Sequence, residues 1–266
     1  MIVPKLIAFF QHGFYLARAY KLNLAARYLT TFITVVFYYF LAHLFNRYGV
    51  VVAPGVDYFT FVLIGGSFAR YVDIGMRILP DALREEMLMG TLEPLLVTAT
   101  PTTLALIGPA MFLVVEGTLL VLVQLLTGGL FGADFSRANW PSAVFMTGLM
   151  VGALFCWGMV AAAFVMRYKR NDPFNWIVGA ISYVFSGVYF PVSTLPPALQ
   201  VISYLLPFTY GLQGLRGALL RGLSPIELWP EVLALSIFTA VGLPLAIFSL
   251  RSATRHLKRS GELGYY

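Results

Sequence analysis

The residues able to do chemistry in this chain are few. Its 266 residues include three histidines, His12, His43 and His256, and one cysteine, Cys156. A lone cysteine excludes an intrachain disulfide, and no Cys/His cluster has the spacing of a metal site. No H-E-x-x-H or D-x-D pattern is present, and no G-x-x-x-x-G-K-[ST] phosphate loop. What remains is charge in unusual places. Asp81, Arg84, Glu85, Glu86 and Glu93 crowd into "LPDALREEMLMGTLEPLLVTATP", residues 79–101, between two apolar runs. Arg70, Asp73 and Arg77 stand at i, i+3 and i+7, on one face of a helix. Glu116 stands alone in an apolar run. Charges of this kind bind, couple or brace; they do not assemble a nucleophile, a base and an oxyanion hole.

The elements that must hold them are dictated by composition. The chain is 59% hydrophobic and 11% charged, with a mean hydropathy of +0.80. A soluble domain carries about a quarter of its residues charged, so most of this surface faces something other than water. Apolar runs give six candidate spans: Tyr28–Phe45, Val56–Leu79, Leu104–Leu126, Ser142–Met166, Phe174–Phe190 and Leu228–Leu250. The fold class expected is all-α, a polytopic membrane protein of one domain over residues 1–266.

Basic residues orient it. Lys5, Arg18, Lys21 and Arg27 precede the first span, Arg77 and Arg84 lie by the second connection, and Arg167, Lys169 and Arg170 by the fourth. Arg251, Arg255, Lys258 and Arg259 follow the last span. The other side holds Arg47, Arg137, Arg216 and Arg221. The positive-inside rule then places both termini in the cytoplasm. This accounts for the net charge of +6 without nucleic acid. No apolar h-region of a cleavable signal peptide stands in residues 1–27. There Leu6, Phe9, Gly13, Leu16, Tyr20 and Leu24 share one face, opposite Gln11, Arg18 and Lys21, as in a helix lying in the interface plane.

Residues 80–101 then form a cytoplasmic connection. Pro80 and Asp81 are expected to open a short helix that Gly90 stops. Thr91 is expected to cap a second, with Glu93 and Pro94 in its first turn. Both signs of charge on a shaped loop suit docking to a soluble partner.

"REEMLMGTLEPLLVTATP" resembles the R-x-E-x-x-x-G-T-L-E-x-L-L-x-T-P segment of ABC-2 type exporter permeases, with one residue more in "VTATP". "FSGVYFPVSTLPPALQVISYLLPFTYGLQGLRGALLRG", residues 185–222, resembles that family's S-G-x-x-F-P-x-x-x-L-P … L-P … R-x-x-L-x-G block. The resemblance implies a dimer of permease chains, each engaging a separate ATPase subunit, so two copies of it. ATP and Mg would sit on that partner, with no cofactor in this chain and no catalysis by it. Arg84, Glu85, Glu86, Gly90, Thr91 and Glu93 would couple to the ATPase.

The second block also reads from its residues. Ser193 or Thr194 is expected to cap a helix that starts at Pro196, and Pro207 to end it. A Gly-spaced helix then runs to Gly222, and "SPIE", Ser224 to Glu227, is a capping box before the sixth span. Residues 192–222 are expected to form a re-entrant hairpin on the outer side, a gate built with Phe190, Pro191, Leu195, Pro196, Pro207 and Arg216. Tyr58 to Ala69 spans only about 18 Å of helix, so Arg70 must lie at membrane depth. It is expected to form a network with Asp73 and Glu116, either as intramembrane charges that brace the second span against the third or along the translocation pathway. The rival classes are an intramembrane lipid-modifying enzyme, which lacks its acid, base or metal cluster, and a secondary carrier, which lacks broken spans in both halves. Among export cargoes a hydrophobic or amphipathic molecule is preferred to a long glycan. "LARAYKLNLAARYLTTF" matches poorly the R-D-x-x-x-R-Y-x-x-S-x-L-G pattern that polysaccharide members share.

Overall fold

The computed structural model describes residues 11, 14, 15, 21–47, 56–88, 102–168 and 173–260. Among them no strand forms, and eight α-helices carry the fold. These are α1 Lys21–Arg47, α2 Tyr58–Leu88, α3 Thr102–Leu130, α4 Trp140–Tyr168, α5 Pro173–Phe185, α6 Pro197–Tyr204, α7 Pro207–Arg221 and α8 Trp229–Ser260. Long apolar runs without charge make helices here because a backbone away from water satisfies its donors and acceptors only within the segment. Four helices, α1, α3, α4 and α8, are long and apolar enough to cross a membrane.

The helix that fails that apolarity test is the best enclosed. α2 packs against α1, α3, α4, α5 and α7. Tyr58, Phe59, Phe61, Val62, Leu63, Ile64, Phe68, Tyr71, Val72 and Met76 are all buried along it. Protein covers most of α2, with Arg70 and Asp73 partly buried on it and Arg77 exposed. α4 lies on its far side, and α8 covers α4. The α2–α4 crossing is close: a Cβ on Gly158 would collide with the Gly75 carbonyl oxygen. By contrast α1 and α8 expose Phe32, Ile33, Phe37, Phe40, Leu233, Ile237, Val241 and Phe248, the outward apolar faces a bilayer or a partner helix requires.

Two expectations change. The break at Pro80 is absent, since α2 continues through it to Leu88. Proline inside a helix costs about 3 kcal/mol. Leu79 and Leu83 on either side are fully buried against Ala162, Ala163, Met166 and Ala253, and burying each contributes about 1.5–3 kcal/mol. The packing therefore outweighs the proline. The fifth expected span, Phe174–Phe190, is a helix of only 13 residues, roughly 20 Å long and too short to cross a core of about 30 Å alone. It ends because Gly187 takes φ +83°, a left-handed conformation glycine adopts at little cost. The interfacial helix expected within residues 1–27 lies largely outside the described residues.

Local punctuation behaves as the residue types dictate. Asn139 caps α4, its Oδ1 accepting the Ser142 amide at 3.2 Å. Gly222 closes α7 at φ +70°. Ser224 donates both its amide and its hydroxyl to Glu227 Oε2, each at 2.7 Å, just before α8. The backbone bond first, then the hydroxyl, holds the Glu227 carboxyl below its ordinary pKa.

Candidate functional site

The charges of α1, α2 and α3 expected to act together fall into two pairs and a remainder. Glu116, on α3, is buried and accepts a 2.7 Å bond from Arg27 Nη1 of α1, whose side chain is 44% exposed. Asp73, on α2, accepts the Tyr183 hydroxyl of α5 at 2.5 Å and lies 3.4 Å from Arg77 Nε, one turn along. Arg70 donates from Nη2 to Thr31 Oγ1 of α1 at 3.3 Å. The expected network of Arg70, Asp73 and Glu116 is therefore not formed. The reason is the position of α1, which lies against both α2 and α3. It delivers Arg27 to Glu116 before Arg70 can reach it, and α5 draws Asp73 to the other side. An unpaired charge at the bilayer centre costs about 2.5–3.5 kcal/mol on insertion scales, so each carboxylate taking a partner is the favourable arrangement. Arg27 looked like a flanking, orienting residue; the signal was its place one turn before Thr31, whose hydroxyl donates to the Arg27 carbonyl at 2.8 Å.

Tyrosines extend this surface toward the start of α2. Gly66 leaves room for the Tyr38 ring, which rests on α2 there; a Cβ at Gly66 would collide with it. Tyr183 also donates to the Ala69 carbonyl at 3.3 Å, and Tyr58 to the Tyr189 carbonyl at 3.1 Å. α1 and α5 thus flank the same face of α2.

The folded-back pair α6–α7 is knitted by its own side chains. Thr209 Oγ1 donates to the Ser203 carbonyl at 2.6 Å and the Tyr210 hydroxyl to the Tyr204 carbonyl at 3.1 Å. Pro191 and Leu195 bracket a 3₁₀ turn, Val192–Thr194. Thr194 bonds back to the Pro191 carbonyl at 2.7 Å, and Gln200 Nε2 donates to the Leu195 carbonyl at 2.8 Å. The cap expected from Ser193 or Thr194 is not made. Pro196 stands at the N-cap of α6 without a side-chain bond, because the 3₁₀ turn uses Thr194 first. Pro207 is buried at the first turn of α7, and Phe190 is half-buried.

Arg216 is the anchor of this pair. Its Nη1 donates to the Gly187 carbonyl at 2.7 Å, and its Nη2 to the carbonyls of Phe61 and Val188 at 3.0 Å each. Its guanidinium carbon lies 3.4 Å from the centroid of the Phe61 ring. One side chain thereby ties α7 to α2 and to the turn after α5. Among the described residues no carboxylate pairs with it.

Of the expected coupling residues, Arg84 is exposed near the end of α2. Glu85 and Glu86 belong to the same helix, their side chains outside the described set. Gly90, Thr91 and Glu93 lie outside the described residues. No group of three His, Cys, Asp or Glu able to hold a metal occurs among the described residues.

No family model matches the chain. A stretch of 98 residues is 32% identical to Nodulation protein J of Neorhizobium galegae. The likeness covers 35% of this chain and 36% of that protein, so about a third of the relative's length is spanned.

Proposed function

We propose that this chain is the permease subunit of an ATP-driven exporter of the ABC-2 type. It would work as a homodimer with two copies of a separate ATPase that holds ATP and Mg. It would move a hydrophobic or amphipathic cargo outward across the cytoplasmic membrane, with both termini cytoplasmic. The observation that carries the reading is what the resembling block at 185–222 does. Gly187 turns the chain, Pro207 opens α7, Arg216 ties it to α2, and Gly222 closes it. These four positions of the S-G … L-P … R … G pattern each have a duty in shaping the short helices α6 and α7 between α5 and α8. That pair would serve as the outer closure of the pathway. The enclosed α2, continuous from the outer tie at Phe61 to Arg84, would link that closure to the ATPase-facing loop.

The test is charge reversal in that loop. Glu93→Lys should abolish ATP-dependent export and loss of the copurifying ATPase should accompany it, with the permease inserted and folded. Full export by that variant at normal expression would refute the docking role. Absence of any associated ATPase from the purified native complex would refute the exporter reading itself.

A further inference from the structure

We propose that Arg70 is the centre of an oxyanion-binding site, taking a phosphate or carboxylate group presented at membrane depth. The site rests on the permease reading in one respect only, that the group would be the head of a transported amphiphile. Binding itself needs nothing but this chain.

Around Arg70, among the described residues, three cations, Arg27, Arg70 and Arg77, stand with two carboxylates, Asp73 and Glu116. Glu116 is taken by Arg27 at 2.7 Å, and Asp73 by Arg77 at 3.4 Å and by the Tyr183 hydroxyl at 2.5 Å. Arg70 is left with one neutral partner, Thr31 Oγ1, at the long distance of 3.3 Å. Its Nε is buried and unpartnered. A guanidinium carries five N–H donors in a planar fork shaped for two oxygens of one anion. At Arg216 both Nη atoms are taken by three carbonyl oxygens, and Nε alone is left without a partner. At Arg70 most of it is unused, although the side chain is not fully enclosed. An oxyanion docked there would balance the odd positive charge, engage Nε and Nη together, and accept a further bond from a neighbouring hydroxyl. The Tyr38 phenol rests one helical turn away at Gly66. The Asp73 charge, which would oppose an anion, is already engaged on its far side by Arg77 and Tyr183. A neutral or cationic head would gain none of this.

The probe is dodecyl phosphate, added to the purified chain in nanodiscs of phosphatidylcholine. The readouts are the unfolding temperature and native mass spectrometry, with dodecyl maltoside as the neutral control. Dodecyl phosphate should raise the unfolding temperature by several degrees and bind with defined stoichiometry. Arg70→Gln should lose the shift, Arg70→Lys should weaken the apparent Kd at least threefold, and Arg251→Gln should retain it. A matching shift from inorganic phosphate would assign the anion to the aqueous phase. A shift from dodecyl phosphate alone would assign it to an amphiphile. The proposal is overturned if wild type shows no shift, or if Arg70→Gln shows the same one. Should Arg70→Gln fail to fold, an unchanged Kd in Arg70→Lys overturns it. Export that proceeds without the Arg70-dependent shift would sink this site alone; the shift without export would sink only the permease reading.

Discussion

Arg216 and Arg70 are both guanidinium groups within helices of this membrane protein, and they are held in opposite ways. Arg216 meets three backbone carbonyls and an aromatic face, with donors spent on closing the ends of neighbouring elements. Nε is buried without a partner in both, and Arg70 otherwise meets one hydroxyl only. The difference teaches that charge at depth is not by itself functional. The number of donors left over separates an arginine that builds the fold from one with capacity for something else.

Removing the builder should have the largest effect. Arg216→Ala removes three bonds from a charged donor to carbonyls, and bonds to charged groups are worth about 1.5–3 kcal/mol each. A loss of at least about 3 kcal/mol is expected, read as a collapse of the unfolding temperature in detergent. Arg216→Lys should fail to rescue it, because an ammonium cannot fork to three carbonyls while stacking on Phe61. Wild-type stability of that lysine variant would erase the contrast between the two arginines.

A second break lies where α2 meets α4. Gly158→Leu inserts a side chain against the Gly75 carbonyl, and overpacking of this kind costs about 1–3 kcal/mol. A normal unfolding temperature for Gly158→Leu would show that the crossing is looser than drawn.

The third prediction sharpens the comparison at Glu116. A double-mutant cycle on Arg27 and Glu116 should give a coupling of about 0.5–3 kcal/mol, and Arg27→Glu with Glu116→Arg should restore what either single change loses. The same cycle on Arg70 and Glu116 should give almost none. Coupling that favours Arg70 would return Glu116 to the network the spacing first indicated.

The smallest effect is at the start of α8. The Glu227 carboxyl is held low by the Ser224 amide and hydroxyl. Its stabilisation is therefore present above its unfolded pKa and lost as the pH falls through the lower folded value. Glu227→Gln should lower the unfolding temperature slightly at neutral pH, with the gap closing below about pH 4. A gap that persists unchanged in acid would mean the capping box does not depend on the charge.

The sequence by itself determined the features whose physics is local. Apolar run length marked α1, α3, α4 and α8, because the thickness of a bilayer converts directly into residues. Gly222 at the end of α7 and the Ser224–Glu227 box were legible because caps are made with neighbours three or four residues away. Tertiary structure alone decided the rest. Pro80 reads as a break until Leu79 and Leu83 find Ala162, Met166 and Ala253 on two other helices. Arg216 reads as a gate charge until Phe61, 155 positions away, supplies a carbonyl and a ring. Glu116 has several cations at compatible depths, and only the lie of α1 selects Arg27, 89 residues distant, over Arg70. Sequence spacing sets the height of a side chain along a helix; it says nothing of the helix's rotation or of which neighbour arrives first. A few ångströms of lateral placement, set by packing, choose the partner of each charge and leave Arg70 with a single hydroxyl where Arg216 has three carbonyls.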